Sequence, residues 1–237
     1  MNINAISPLD GRYAKKVENL SAYFSEKALM HARCVIECWY IAALDKHDIF
    51  PKLGQQAKDQ IERVINNFTD DDYLAIKKIE ATTNHDVKAC EIYLQETLDL
   101  PDNNIIHFGL TSEDVNNLAH TYLLKKYVEQ EQLSKIEELI KKLIELVDAW
   151  KTVPFPSRTH GQKATPSTAG KELAVFLNRI TRIYEELKSF RFSGKLNGAV
   201  GNYSAMMAAV PEVDWHEFAE KFFEEHDLAH NIATTQI

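Results

Sequence analysis

The segment from residue 133 to residue 150 constrains the fold most, because its apolar residues recur with the spacing of a helix that needs partners. The positions are Leu133, Ile136, Ile140, Leu143, Val147 and Trp150. Their separations alternate between three and four residues, which is the spacing of a heptad seam. Leu139 and Leu146 widen the stripe beyond the seam of a two-stranded coiled coil. The pattern therefore predicts a long helix with neighbours on more than one side.

Helical spacing recurs in the rest of the chain, whereas strand-like alternation is almost absent. A second long stripe covers residues 173–190, and a loop of small residues follows it over 194–209. A bulky aromatic face predicts a further helix that begins near Pro211. Shorter stripes predict helices over 26–44, 61–68 and 87–98.

Wide apolar stripes are typical of bundle cores and of oligomer interfaces, so we predict an all-α fold. A polar cluster opens into the long helix at Thr111, and we place a domain boundary there. A smaller N-terminal helical domain over residues 1–110 and the first part of a long-helix bundle over 111–237 are expected.

The charge balance excludes some classes of partner. The 237 residues carry a net charge of −8, which argues against nucleic-acid binding, since neutralising phosphates needs clustered Lys and Arg. A few local cations and helix N-termini can still bind an anionic small molecule. The sequence has no leader-like segment and no apolar run of membrane-spanning length, so we expect a cytoplasmic protein without a membrane partner.

The cysteines and histidines do not indicate a metal or a cofactor. Cys34, Cys38 and Cys90 are odd in number and form no ligand or disulfide framework, so we expect buried thiols in a reducing compartment. Among the nine histidines only His226 and His230 have His-x-x-x-His spacing, and they lack the His-Glu-x-x-His pattern of a zinc-binding helix. We therefore expect no metal site and no cofactor.

The segment 157–168 (SRTHGQKATPST) joins the two long stripes and carries His160 between polar neighbours. Gly161 allows the backbone to come close to a ligand. Pro166 suits the first turn of the following helix, with Thr165 as its cap. The segment predicts an imidazole held above a helix N-terminus, although a histidine that only caps or packs locally fits the same residues.

Further polar clusters also lie at predicted loops and helix starts. In segment 7–13 (SPLDGRY), the guanidinium of Arg12 beside the phenol of Tyr13 can bind a phosphate or carboxylate. The alternative to a binding role is that this segment is an N-terminal arm that forms ion pairs with its own domain.

Segments 82–88 (TTNHDVK) and 111–117 (TSEDVNN) both read as helix starts, with Thr83 as one cap and Thr111 and Asp114 as a capping pair. The same N-termini could receive an anion. Segment 195–203 (KLNGAVGNY) offers a cation and backbone amides on a glycine loop.

Taken in this order, the clusters resemble the fumarase/aspartase superfamily of elimination enzymes, and most closely its branch that acts on succinylated purine nucleotides. The segments that carry the resemblance are 7–13, 82–88, 111–114, 157–162 and 198–203. The resemblance extends along essentially the whole chain, as far as residues 234–237 (TTQI).

The resemblance implies a β-elimination that breaks a C–N bond and releases fumarate in a homotetramer of long helical bundles. His160 would be the general acid that protonates the departing nitrogen. The residues that would bind the succinylated nucleotide are Arg12, Tyr13, Asn84, His85, Asp86, Thr111, Ser112 and Gln236.

The chain departs from the family pattern in one respect. The family's general base is a serine in a Gly-Ser-Ser-x-Met-Pro-x-Lys-x-Asn-Pro motif, and the 237 residues contain nothing similar. We therefore expect the N-terminal portion of such an enzyme, inactive by itself. Two alternatives stay open: another fumarate-releasing lyase, such as one acting on argininosuccinate, or a non-catalytic helical oligomerisation module.

Overall fold

The computed structural model describes residues 4–237 and is mostly helical. The helices are α1 (Ser21–Phe24), α2 (Glu26–Lys46), α3 (Gln55–Asn66), α4 (Asp70–Thr83), α5 (Asp86–Thr97), α6 (Ser112–Tyr127), α7 (Leu133–Trp150), α8 (Ala169–Lys188), α9 (Ser204–Ala209) and α10 (Trp215–Glu225). Three-residue 3₁₀ turns lie at Ala14–Lys16, Glu18–Leu20 and Asn103–Ile105, and a π-helical stretch covers Val128–Gln132.

Strands are few among the described residues. An antiparallel hairpin pairs β1 (Pro154–Thr159) with β2 (Gln162–Thr168), and a short parallel pair joins β3 (Ser193–Gly194) to β4 (Ala229–His230). The predicted all-α class is confirmed, and the hairpin is the main addition to it.

Local capping explains where several helices begin. Ser25 accepts the N–H of Ala28 at 3.1 Å at the start of α2. Thr69 and Asp72 form a reciprocal capping box on α4, which satisfies two backbone donors that have no partner within the helix. The apolar stripes do not predict α4, and this capping box is the local signal that marks its start.

Three predicted helix starts are wrong by a few residues. Thr83 ends α4 rather than capping α5, because His85 accepts the N–H of Lys88 through Nδ1 at 3.2 Å. Asp214 caps α10, so that helix begins at Trp215 and not near Pro211.

The predicted cap at Thr165 is also wrong. Pro166 lies in β2 opposite Pro156, and Thr168 caps α8 by accepting the N–H of Lys171 at 3.1 Å. The predicted loop over 194–209 contains the short helix α9 as well.

The chain forms two compact units. Unit 1 consists of the segment up to Leu124 together with Phe192–Ile237, and unit 2 consists of Lys125–Arg191. The start of α6 therefore lies inside unit 1. The proposed boundary at Thr111 concerns the domains of a whole enzyme and stays a prediction.

The core of unit 1 is built around α2, most of whose 21 residues are buried. Tyr40, Phe222 and Phe223 are among its largest fully buried side chains. Cys34, Cys38 and Cys90 are buried and free; burial raises the pKa of Cys34 and of Cys38 far above the ordinary range of a thiol. The predicted burial of the three thiols is confirmed.

Unit 2 consists of α7, the hairpin and α8. The two helices approach so closely at Gly170 that a Cβ there would lie 2.6 Å from the backbone oxygen of Val147. Neither helix buries its stripe within the unit: no residue of α7 is buried, and Phe176 and Ile183 on α8 are 55% and 62% exposed. These stripes have the exposure of an uncovered interface.

In the part of the chain that the structure describes, helices of membrane-spanning length and hydropathy do not occur.

Candidate active site

The start of α6 is held by a buried carboxylate. Asp114 is fully buried, and its Oδ2 accepts the N–H of Thr111 at 2.9 Å. Asp114 also accepts the backbone N–H groups of Asn197 at 3.0 Å and of Gly198 at 3.2 Å. The carboxylate therefore joins the helix start to the glycine loop 195–203, far away in sequence.

A buried ammonium completes this junction. Lys195 has a side chain only 3% exposed, and its Nζ lies 2.9 Å from Asp114 Oδ1. The same Nζ donates to the backbone oxygens of Gly198 at 2.7 Å and of Gln236 at 3.1 Å. A buried charge is tolerated when it is paired and hydrogen-bonded, and both ions meet that condition.

The segment that carries Gln236 lies directly on the glycine loop. Thr234 accepts a hydrogen bond from Asn197 Nδ2 at 2.8 Å through its hydroxyl. Gly201 has φ +77°, and a Cβ at this position would overlap the backbone oxygen of Thr234. The absence of a side chain at Gly201 therefore permits this close approach.

A second buried cation joins the segment 82–88 to α6. Arg33, on α2, forms an ion pair with Asp86 Oδ2 at 2.6 Å and donates to Asn116 Oδ1 at 2.9 Å. Burial opposes ionisation of Asp86, but the charge of Arg33 and hydrogen bonds outweigh it and lower the pKa of this carboxyl. Asp86 therefore stays ionised beside the start of α6.

Asn84 and His85 occupy the turn before Asp86. Asn84 is in the left-handed region with φ +51° and caps the C-terminus of α4, and His85 caps α5. Both side chains are exposed. The turn thus presents an amide and an imidazole to solvent above a buried ion pair.

Charged side chains also fix the segment just before Thr111. Glu37 accepts the backbone N–H of His107 at 3.1 Å and bonds His107 Nδ1 at 2.6 Å. Burial alone would lower the pKa of His107, but the hydrogen bond and the charges of Glu37 and Glu91 raise it. Glu37 thereby holds the chain that leads into α6.

The contacts of Arg12 and Tyr13 within the described residues are local. The Arg12 guanidinium lies 5.3 Å from the centroid of the Tyr13 ring, and the Tyr13 N–H donates to Pro8 O at 2.9 Å. The turn presents a guanidinium and a phenol together, as the sequence predicted.

His160 belongs to unit 2, at the tip of the hairpin. His160 and Gly161 both have positive φ, +46° and +77°, and they join Thr159 to Gln162. Positive φ at both loop residues is the requirement of a type I′ hairpin turn. A non-glycine residue in the left-handed region costs about 1–2 kcal/mol, so the strain falls on the candidate acid itself.

The structure therefore brings some of the candidates together and leaves others apart. Asp86, Thr111, Ser112 and Gln236 belong to segments of unit 1 that are joined by Arg33, Asp114 and Lys195. Asn84 and His85 are next to Asp86 in the same turn. Arg12 and Tyr13 keep to their own turn, and His160 lies in the other unit.

Sequence reasoning missed Arg33, His107 and its partner Glu37 among the supporting residues. Arg33 interrupts the apolar stripe of α2, and His107 interrupts a run of apolar residues before Thr111. A charged or titratable residue at a position that periodicity places inside is expected to have a buried partner. That rule would have identified both residues, although not their partners.

The joined segments can bind an anion. Thr111 and Ser112 are half-buried at the N-terminus of α6, where the first backbone N–H groups have no partner within the helix. Such an end favours carboxylate or phosphate. An imidazole that supplied a proton to an anionic ligand bound in this way would provide the chemistry of an acid-assisted elimination.

Comparison of the chain with known proteins shows which family it belongs to. Residues 11–236 match the family model described as Lyase. The chain is 42% identical over 243 residues to the adenylosuccinate lyase of Haemophilus influenzae, which covers 99% of this chain and 53% of the relative. It is also 42% identical over 244 residues to that of Escherichia coli K12, covering 100% and 54%. The chain thus spans about half the length of the curated relatives it matches.

Solved structures agree at the level of the fold. The chain is similar to the fumarate lyase from Mesorhizobium sp. BNC1, with a TM-score of 0.75 and 19% identity over 92% of this chain and 49% of that one. It is also similar to the beta-carboxy-cis,cis-muconate cycloisomerase from Acinetobacter calcoaceticus, with a TM-score of 0.71 and 17% identity over 93% and 50%. The chain therefore belongs to the lyase family that its motifs predicted, the fumarase/aspartase superfamily.

Proposed function

We propose that the protein is an adenylosuccinate lyase of purine biosynthesis. It would release fumarate from adenylosuccinate and from the succinylated aminoimidazole carboxamide ribotide. The observation that carries the proposal is the 42% identity, over practically the whole chain, to relatives with that name. The joined anion-binding segments of unit 1 support it independently.

The proposed reaction is a β-elimination: the succinyl group loses a proton and the nitrogen substituent from adjacent carbons, and no external oxidant or reductant is needed. A base removes the proton from the carbon beside a carboxylate of the succinyl group, and the electron pair is delocalised onto that carboxylate. As the C–N bond breaks, the pair forms the C=C bond of fumarate, and the departing nitrogen takes a proton from His160. Negative charge accumulates on the carboxylate before the C–N bond breaks, so fixed donors near it lower the barrier.

Thr111 and Ser112 are proposed to bind a carboxylate at the start of α6. Arg12 and Tyr13 would hold another anionic group, and Asn84, His85, Asp86 and Gln236 would bind the remaining polar groups of the nucleotide. These residues are the list that the family resemblance supplies, and the junction at Asp114 supports the part of it that lies on α6.

The general acid is tested by replacing His160 with alanine in the whole protein that contains these 237 residues. Loss of a positioned acid should lower kcat about 10²–10⁴-fold, measured as fumarate release from adenylosuccinate. His120→Ala, at an exposed histidine on α6, is the matched control and should keep full turnover. An unchanged rate in His160→Ala would remove His160 from the mechanism.

The substrate class is tested by comparing adenylosuccinate with argininosuccinate. We expect turnover of the first alone. A preference for argininosuccinate would replace the purine assignment with the other fumarate-releasing activity. Absence of turnover on either, in the whole protein, would favour a non-catalytic helical module.

We also propose, from the resemblance alone, that these 237 residues release no fumarate by themselves, because the serine-bearing motif is not among them. Purified chain of this length should bind but not convert adenylosuccinate. Measurable fumarate release would show that the base lies among the residues described here.

The proposed assembly is a cytoplasmic homotetramer. Its support is the exposed apolar stripe of unit 2, in which Leu139, Ile144 and Ile183 are about half exposed or more. Ile183→Glu should shift the mass measured by light scattering towards smaller species, whereas Lys142→Glu, at an exposed charged position of α7, should not. Equal masses for wild type and Ile183→Glu would contradict an interface at this stripe.

A further inference from the structure

Lys195 is not among the residues proposed to touch the substrate, yet it is the most fully engaged cation of the described residues that meet at α6. Its side chain is 3% exposed. An ammonium has three N–H donors and no acceptor. The three oxygen partners of Lys195 are Asp114 Oδ1, Gly198 O and Gln236 O, so every donor of the ammonium is engaged.

Each of these partners belongs to a different part of the proposed site. Asp114 holds the N–H of Thr111 and thereby the first turn of α6. Gly198 is in the glycine loop, and its N–H also reaches Asp114. Gln236 is itself a proposed substrate-binding residue, and Lys195 fixes its backbone.

Removing the ammonium would affect all three parts together. The carboxylate of Asp114, with no exposed surface, would lose its counter-charge, and two backbone oxygens would lose a donor. Leaving a buried charge without its partner is strongly unfavourable, so the segments are expected to move apart or admit water. A displacement of about 1 Å at substrate-positioning groups can cost about 10²-fold in rate.

We propose that Lys195 is a positioning residue for the elimination. It holds the carboxylate-binding start of α6, the glycine loop and Gln236 in one arrangement. It acts through its partners, because its three donors are already engaged by the protein. This role rests on the proposed function.

The test compares Lys195→Gln with another ion pair of unit 1, in which Asp72 is buried and the Arg63 side chain is 42% exposed. Arg63 bonds Asp72 Oδ1 at 2.7 Å and the hydroxyl of Tyr93 at 3.0 Å, and none of these residues is placed in the site. Arg63→Gln is therefore a matched control for the loss of an ion pair. Both variants are made in the whole protein, and folding is checked by circular dichroism and urea unfolding.

Lys195→Gln is expected to lower kcat for adenylosuccinate about 10²-fold and to raise the inhibition constant of fumarate about tenfold, because the carboxylate-binding end of α6 is displaced. Arg63→Gln is expected to lose stability but to keep both constants close to wild type. Lys195→Arg, which keeps the charge in a larger group, should recover part of the fumarate affinity.

A folded Lys195→Gln with wild-type kcat and wild-type fumarate inhibition would overturn the role of Lys195. Wild-type protein that releases no fumarate from adenylosuccinate would instead contradict the proposed function, so the two failures are distinct.

Hydrogen exchange of the wild type covers the case in which the Lys195 variants do not fold. With Lys195 as the common support, saturating fumarate should slow exchange at the amides of Thr111, Asn197 and Gly198 together. Protection of Thr111 without any change in the glycine loop would overturn the proposal.

Discussion

Helices α2 and α7 show the difference between the two units. Both carry long apolar patterns, but α2 is buried along most of its length, whereas α7 buries no residue. The periodicity of a helix indicates that one face must be buried against another element. It does not indicate whether that element belongs to the same unit, and only the structure distinguishes a helix buried within its unit from one that is not.

The polar groups follow the same division. In unit 1, Asp114 is without exposed surface and is held by Lys195 and several backbone donors. In unit 2, His160 lies exposed on a two-residue turn. We therefore expect substitutions of Asp114 and Lys195 in unit 1 to change stability and activity together, and substitutions at the hairpin tip to change activity far more than stability.

The largest effect on stability is expected for Asp114→Ala. It leaves the buried ammonium of Lys195 without its carboxylate, and breaking a buried pair in this way costs about 3–5 kcal/mol. The measurement is urea unfolding followed by circular dichroism. Glu145→Ala, which breaks an exposed pair with Lys142 in unit 2, is the control and should change little. Similar urea midpoints for Asp114→Ala and Glu145→Ala would contradict the difference in stability contribution between the ion pairs of the two units.

Gly201 and Gly161 form a matched pair for the next prediction, because both have φ +77°. A Cβ at Gly161 meets nothing within 4 Å, whereas one at Gly201 overlaps the oxygen of Thr234. Gly161→Ala should therefore cost only the backbone strain, about 1–2 kcal/mol. Gly201→Ala should cost more, about 3 kcal/mol, because overpacking adds to the same strain.

The two glycine variants are compared by urea unfolding and by fumarate release from the whole protein. Equal losses of stability would show that the segment 234–236 yields without cost. In that case the close packing of the glycine loop would not position Gln236.

A smaller effect is expected from pH, at a half-buried histidine of unit 1. The ring of His226 stacks on Trp39 with centroids 3.8 Å apart, and burial, opposed by the charge of Glu225, lowers the pKa of His226 to about 4. Protonation therefore favours the unfolded chain. The neutral ring of His226 therefore contributes fully to the free energy of unfolding above about pH 6.5, and this contribution is lost as the pH falls from about 6.5 to about 4.

The loss in the free energy of unfolding should reach about 2 kcal/mol. This is less than the full difference between the unfolded and folded pKa values of His226 would give, because solvent reaches part of the ring. His226→Phe keeps a stacked ring but cannot titrate. The free energy of unfolding of wild type and His226→Phe should differ in slope between pH 6.5 and pH 4. Parallel curves would mean that His226 is not neutral in the folded protein.

The smallest stability change is expected for His160→Ala, within about 0.5 kcal/mol, because the side chain is exposed. The same variant carries the largest expected loss of turnover. A loss of several kcal/mol would show that the imidazole supports the fold.

Much of the fold could be predicted because its helices have long, regular stripes. The stripe over 26–44 matches α2, and the stripe over 133–150 matches α7. Helix starts were harder, because Thr83 and Thr165 are as suitable for capping as the residues that do so, His85 and Thr168. The hairpin was missed because its strands contain Pro156 and Pro166 facing each other, and prolines are poor strand signals.

The candidate site could be predicted only as separate pieces. The motifs identify Thr111, Asp86 and Gln236, but the contacts that join them come from Arg33 and Lys195. Arg33 and Asn116 are 83 positions apart in sequence, and no local pattern encodes such a pairing. The polar motifs indicate which residues are proposed to touch the substrate, whereas the buried ions that hold these residues can be identified only from three-dimensional packing.

The hairpin extends from the place where α7 and α8 cross closely at Gly170, so a small rotation at its base produces a large displacement at its tip. Its base lies where α7 and α8 have their backbones in contact, and its ladder runs from Pro154 opposite Thr168 to Thr159 opposite Gln162. At about 3.3 Å per residue, the tip is roughly 20 Å from that base. A tilt of about 10° at the base would carry the imidazole of His160 through roughly 3–4 Å, about the length of a hydrogen bond. The position of His160, the proposed proton donor, therefore depends on the two strands of the hairpin, and changes to their side chains should alter the rate without replacing the histidine.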